Sequence, residues 1–186
     1  MSRRALVLLA PGSEEMEVVI CVDLLRRGGI EVSLAGLCDA SDLVTCSKGV
    51  TIKPDIHLSE ARGQFDVVVL PGGVGGTQSL ARSKEVGRLL KQQEQEGRYI
   101  ATLCTGPTVL KAHQIGLGKR ITSHPSAKEK LHDVYDYKED NVVIDGNVIS
   151  CRGPGTAFEF ALTLIEALIS KDKAMDVAKA MDICTT

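Results

Sequence analysis

Three runs of apolar residues, each cut off by a glycine- or proline-bearing turn and followed by a helical pattern, leave this chain few folds to choose from. Ala5–Ala10 stops at Pro11-Gly12, and Gln64-Phe65-Asp66-Val67-Val68-Val69-Leu70 stops at Pro71-Gly72-Gly73. Tyr99–Leu103 runs straight into Cys104-Thr105-Gly106-Pro107. Strands apolar on both faces belong to parallel sheets buried between helices. The intervening segments read as helices. Ser13 is the expected N-cap of the first, Glu14, Glu15 and Glu17 load its first turn with acid, and Arg26-Arg27-Gly28-Gly29 ends it. Ile30–Leu37 reads as the next strand. One helix is expected from about Ser79 to Glu96, closed by Gly97, and another from Cys104 to about Ile115. Asn141–Ile144 and Val148–Cys151, on either side of Asp145-Gly146, read as a hairpin. Thr156–Ile169 and Ala174–Met181 supply two last helices. The expected fold is an α/β doubly wound sandwich, a mainly parallel sheet with helices on both faces.

Composition narrows the function classes. The 186 residues fit one domain, 1–186, because no linker, charge block or repeat divides them. Lys plus Arg is 22 against 24 Asp plus Glu, so binding driven by net positive charge is not the first expectation. The longest apolar runs fall far short of the ~20 residues of a membrane helix. No cleavage signal follows residues 1–4, and the expected compartment is the cytosol. The six cysteines (Cys21, Cys38, Cys46, Cys104, Cys151, Cys184) form no C-x-x-C, and His57, His113, His124 and His132 form no H-x-x-x-H. Reduced thiols are expected, with no structural metal and no cofactor motif.

In open α/β sheets ligands gather beyond the carboxyl ends of the strands. Glu14/Glu15/Glu17, Gly72-Gly73 and Cys104 all fall there. A lone cysteine is usually a buried spacer, but Cys104 stands where strand gives way to helix, an elbow that aims helix amides at the sulfur and stabilises a thiolate. Gly72 and Gly73 leave backbone N–H groups open to a ligand, although a plain turn would look the same. His124, held extended by Pro125, and Glu17, three residues after Glu14, are weaker signals: surface histidines and dipole-complementing acids share those patterns. On the first helix Met16, Ile20 and Leu24 form one apolar stripe and Val18, Val22 and Leu25 another. That pattern suits either a deeply buried helix or a homodimer interface.

Six stretches carry a resemblance that runs from end to end: Arg4-Ala5-Leu6-Val7, Gly12-Ser13-Glu14-Glu15-Met16-Glu17, Val67 to Gly73, Cys104-Thr105-Gly106-Pro107-Thr108, Ser123-His124-Pro125 and Arg152 to Ala161. In this order and spacing the chain resembles the parkinsonism-associated protein deglycase (DJ-one) family of the ThiJ/PfpI superfamily. The resemblance implies a flavodoxin-like homodimer that works without a cofactor. It implies a reactive Cys104, a protonated Glu17 hydrogen-bonded to the sulfur, and His124 as a further catalytic group. Gly72, Gly73 and the amide of Thr105 would bind substrate or oxyanion. The implied substrates are small α-oxoaldehydes such as methylglyoxal, turned over to lactate, and glycated protein or nucleotide groups. Stress protection, chaperone activity and nuclear and mitochondrial pools beside the cytoplasmic one are implied too.

The main alternative is a redox sensor whose Cys104 is oxidised without turnover. A cysteine peptidase is a third reading, weakened because Thr105 fills the place of a histidine. Lys48 stands where close relatives carry Arg, and Lys53 where vertebrate members carry Cys. Cys46 is retained and reads as a half-exposed bystander. The tail Met181–Thr186 is more polar than the family's, so its packing over the site is not expected.

Overall fold

The computed structural model describes residues 2–37 and 43–183. Cys38 and Cys184 lie outside the described residues. The chain runs through β1 (Arg4–Leu9), α1 (Glu15–Arg27), β2 (Glu31–Gly36), β3 (Val44–Thr45), β4 (Thr51–Ile52) and β5 (Ile56–His57). It continues with β6 (Val67–Leu70), α2 (Val74–Arg82), α3 (Lys84–Gln95), β7 (Tyr99–Leu103) and α4 (Pro107–His113). The last elements are β8 (Arg120–Ile121), β9 (Asp136–Tyr137), β10 (Val142–Asp145), β11 (Val148–Cys151), α5 (Ala157–Leu168) and α6 (Lys171–Ala180). Seven strands form the main sheet in the order β10-β11-β7-β6-β1-β2-β5, parallel throughout except for the β10–β11 hairpin.

Alternation along each central strand feeds two cores. Ala5, Val7, Leu9, Val67, Val69, Ala101 and Leu103 pack with α1, α5 and α6 on one face. Leu6, Leu8, Val68, Leu70 and Ile100 pack with Leu80, Val86, Leu90 and Leu110 of α2, α3 and α4 on the other. That two-sided burial makes the strand runs apolar without a break. Strand order reverses between β1, which is followed outward by β2, and β6, which is followed outward by β7. This switch point opens a crevice at the carboxyl ends of the strands.

Several boundaries depart from the sequence reading. Glu14 rather than Ser13 caps α1, its side chain accepting from the Glu17 amide, while the Ser13 hydroxyl turns back to accept from Ala10 N–H. The single helix expected over Ser79–Glu96 is two helices meeting at Ser83, whose hydroxyl accepts from Val86 N–H and caps the second. α6 begins at Lys171, earlier than Ala174, because Ser170 supplies an N-cap. Cys46 is buried rather than half-exposed, in the turn that joins β3 to β4. Of the first helix's apolar residues, Ile20, Leu24, Val18 and Leu25 are buried, whereas Met16 and Val19 are exposed.

Candidate active site

Cys104 does not begin a helix. It occupies a turn of three residues between β7 and α4, with φ at +55°, a left-handed conformation costly for a side chain with a Cβ. Its own N–H donates to the Cys151 carbonyl (3.0 Å), and its carbonyl accepts from His124 N–H (3.0 Å). These bonds hold the elbow against β11 and against the His124 segment. Cys104 as a whole is only 9% exposed.

The walls come from the ends of β1 and β6. A Cβ on Gly72 would lie 2.5 Å from the Cys104 Cβ, 3.0 Å from its Sγ and 2.9 Å from Glu17 Oε2. Only glycine lets the β6 turn pass between sulfur and carboxyl. Gly73 has φ +90°, and a Cβ there would meet the Gly12 carbonyl at 2.3 Å. The Gly73 and Thr105 amides lie near the Cys104 sulfur and favour its ionised form. Gly72 N–H donates to Glu17 Oε2 (2.6 Å). Glu17, fully buried on the first turn of α1, sets its carboxyl beside Cys104, close enough for each group to shift the other's ionisation, and its Oε1 has no hydrogen-bond partner.

Burial pushes the Glu17 carboxyl up to about 7, helped by the nearby charge of Glu14 and opposed by the Gly72 amide and the Cys104 thiol. Burial also pushes the Cys104 thiol up to about 12, followed by the charge of Glu17, against the pull of the Thr105 and Gly73 amides. The expected resting thiolate is therefore corrected. The sequence shows the elbow's amides but not the desolvation and the acid beside it, which outweigh them. Above about pH 7 the two groups hold one proton between them. Thiol with carboxylate and thiolate with carboxylic acid are then two forms of one charge state.

His124 joins the site through its backbone. Its ring is exposed, and Nδ1 accepts from Ser126 N–H (3.3 Å) with the Ser126 hydroxyl at 2.8 Å. The neutral ring thus carries its proton on Nε2. No hydrogen bond links this imidazole to Cys104 among the described residues. Thr105 is half-buried, its hydroxyl 3.4 Å from that of Thr77.

The roles of two residues named in the sequence reading become visible only in the structure. Glu15 is buried and accepts from Ser47 Oγ, Lys48 N–H and Val50 N–H. Burial opposes its ionisation, but these bonds together hold its carboxyl below the usual range. It thereby clamps the β3–β4 hairpin over the β1–α1 turn, and Lys48 contributes its amide there rather than its cation. Gly12, at φ +81°, would place a Cβ 2.9 Å from Gly75, so its turn is the second close crossing of backbones. The Pro11-Gly12 pair marks the turn but not what packs on it. No group of three or more His, Cys, Asp or Glu side chains able to hold a metal ion occurs among the described residues.

A strained cysteine elbow at the switch point of a flavodoxin-like sheet, bracketed by a buried acid and two amides, defines a class of α/β proteins. The chain belongs to the DJ-1/PfpI family, whose pattern matches residues 3–167. It is 51% identical to Protein dj-1beta of Drosophila melanogaster over 183 residues, 97% of each chain. It is equally identical to the Parkinson disease protein 7 homolog of Danio rerio, over 94% of each. Identity to the glutathione-independent glyoxalase DJR-1.2 of Caenorhabditis elegans is 42% over 96% of each. The crystal structure of Drosophila DJ-1beta superimposes with a TM-score of 0.96 at 50% identity over all of both chains.

Proposed function

We propose that the protein is a cofactor-free, cysteine-dependent glyoxalase acting on methylglyoxal and similar small α-oxoaldehydes. The observation that carries this reading is the buried Glu17 carboxyl set beside Cys104 at a strained elbow, with only Gly72 fitting between them. The 42% identity to a relative named a glutathione-independent glyoxalase supports it.

The Cys104 sulfur adds to the aldehyde carbon while Glu17 holds the thiol proton, and that proton then passes to the new alkoxide, giving a hemithioacetal. Gly73 and Thr105 N–H, freed from the sulfur as it becomes neutral, turn to the developing oxyanion. Glu17 next removes the proton from the former aldehyde carbon and returns it to the adjacent carbon, while the hemithioacetal hydroxyl proton moves to the former ketone oxygen, leaving a lactoyl thioester. Water breaks the C–S bond, releasing lactate and restoring the thiol. Overall, methylglyoxal and one water become lactic acid. Release of early glycation adducts from protein or nucleotide groups would use the same opening addition. His124, exposed at the rim, exchanges protons with solvent rather than with the sulfur.

Lactate formation from methylglyoxal without glutathione tests the reading. Cys104→Ala is expected to abolish it and His124→Ala to reduce it; a Cys104→Ala protein that turns over normally overturns the mechanism. One feature favours a redox-sensor reading: protonated Glu17 Oε1, otherwise unpartnered, can donate to an oxygen added to the sulfur. In either case the exposed pair Met16 and Val19 on α1 supplies the apolar surface for the homodimer, since Ile20 is turned into the core. No helix among the described residues is long and apolar enough to cross a membrane; the proposed location is cytoplasmic.

A further inference from the structure

A second concave site lies away from the cysteine, at the opposite end of α4. The break between α2 and α3 at Ser83 puts Arg82, the last residue of one helix, and Lys84, the first of the next, on either side of one corner. Lys84, Arg88 and Lys91 then follow at i, i+4 and i+7 along α3 and so share one face. With Gly87 and His113 they line a cleft of about 350 Å³ whose wall contains no carboxylate. Glu85, the nearest acid in sequence, is not part of that wall.

The arrangement runs against local electrostatics. A cation in the first turn of α3 opposes the helix dipole, and like charges at i, i+4 repel. Chance surface decoration would also have left these arginines the neighbours that others found. Of the ten arginines, Arg3, Arg4, Arg26, Arg27, Arg98 and Arg120 pair with carboxylates. Arg62 and Arg152 donate to carbonyls. Arg82 and Arg88 alone make neither contact among the described residues, and both are exposed. The floor is built to close tolerance: a Cβ on Gly87 would lie 2.6 Å from His113 Nδ1. His113 Nε2 is 3.1 Å from the Leu80 carbonyl, which can only accept, so the neutral ring's proton is on Nε2.

We infer that this cleft binds a small polyanion bearing a chain of phosphates, two guanidinium forks taking phosphate oxygens and the two lysines neutralising the remaining charge. A cleft of this volume suits a di- or triphosphate rather than a single anion, and four unpaired cations match its three or four negative charges. Nothing in this binding requires the chemistry at Cys104.

Calorimetric titration of the full chain with inorganic tripolyphosphate in low salt tests it. Saturable one-to-one binding is expected, weakened at least about tenfold in Arg82→Ala/Arg88→Ala and unchanged in Lys53→Ala/Lys179→Ala, which removes two exposed cations elsewhere. Amide shifts mapped by NMR on the unmodified protein should centre on Gly87 and His113, so the site remains testable if the double variant unfolds. Comparison with ATP separates two sources of the same chemistry: equal affinity marks a site for inorganic polyphosphate, and tighter ATP binding marks a nucleotide site. Absence of saturation, equal loss in both double variants, or shifts centred elsewhere would overturn the assignment.

Discussion

Replacing Glu17 by Gln should make the protein more stable and less active, in a pH-dependent way whose sign the structure fixes. The folded chain holds the Glu17 proton up to about pH 7, whereas an ordinary carboxyl releases it near 4.5. Below 4.5 both folded and unfolded chains carry the proton, and nothing is lost. Between 4.5 and 7 only the folded chain carries it, so stability falls as pH rises through that window. Each tenfold change in proton affinity is worth about 1.4 kcal/mol, giving a total loss of roughly 3 kcal/mol above pH 7. Whichever atom of the Glu17–Cys104 pair keeps the remaining proton, one negative charge is then buried. The amide introduced by Glu17→Gln is neutral, and its carbonyl can still accept from Gly72 N–H. Thermal unfolding followed by circular dichroism should therefore show little difference at pH 4. At pH 8 the variant should melt higher by roughly 6–12 °C for a chain of this length. Methylglyoxal turnover should fall at least about 100-fold. An unchanged pH slope, or a variant less stable than its parent at pH 8, would show that Glu17 is not the buried acid described.

Gly72→Ala should fold with a cost of about 1–3 kcal/mol, from the overpacking seen at 2.5 Å from the Cys104 Cβ. It should lose turnover more than stability, read by parallel lactate assays and denaturant titration. Limiting peroxide should add oxygen to Cys104 before Cys21, which is fully buried and whose thiol burial pushes well up, as intact-mass spectrometry with peptide mapping would reveal. Oxidation spread evenly over the cysteines would count against the sensor reading. Val19→Asp on the exposed stretch of α1 should shift sedimentation from dimer to monomer, and a profile unchanged from the parent's would place the interface elsewhere.

What the sequence disclosed follows from which forces act locally. Apolar runs report burial directly, so β1, β6, β7 and the hairpin were legible, and Gly28-Gly29 marked the end of α1 because the chain leaves the helix there. The break at Ser83 was not, since Leu80, Val86, Leu89 and Leu90 keep an apolar pattern across it and a single capping hydroxyl decides the matter. Two-residue strands such as β3 and β5 have no period to detect, and β3 depends on Glu15 gripping its hairpin from a distance in sequence. Cys104 stood out by its place at a strand end. The resemblance, rather than spacing, singled out Glu17, because three acids in one helix turn look alike until burial separates them. Glu14 caps the helix, Glu15 holds a hairpin and Glu17 faces the sulfur.

That division of labour bears on how the sulfur is activated. If helix amides alone tuned the thiol, a neighbouring carboxylate would only oppose ionisation, and replacing Glu17 should favour the thiolate. The packing argues for a different arrangement. A side chain at Gly72 would press on both the sulfur and the carboxyl that flank it, and the same residue's N–H fixes Oε2 in place. Glycine, acid and strained cysteine therefore form one device in which the cost of a dry, negatively charged pocket is inseparable from possession of a movable proton. Removing that cost removes the proton acceptor with it, so gain of stability and loss of turnover at position 17 should appear together across substitutions rather than independently.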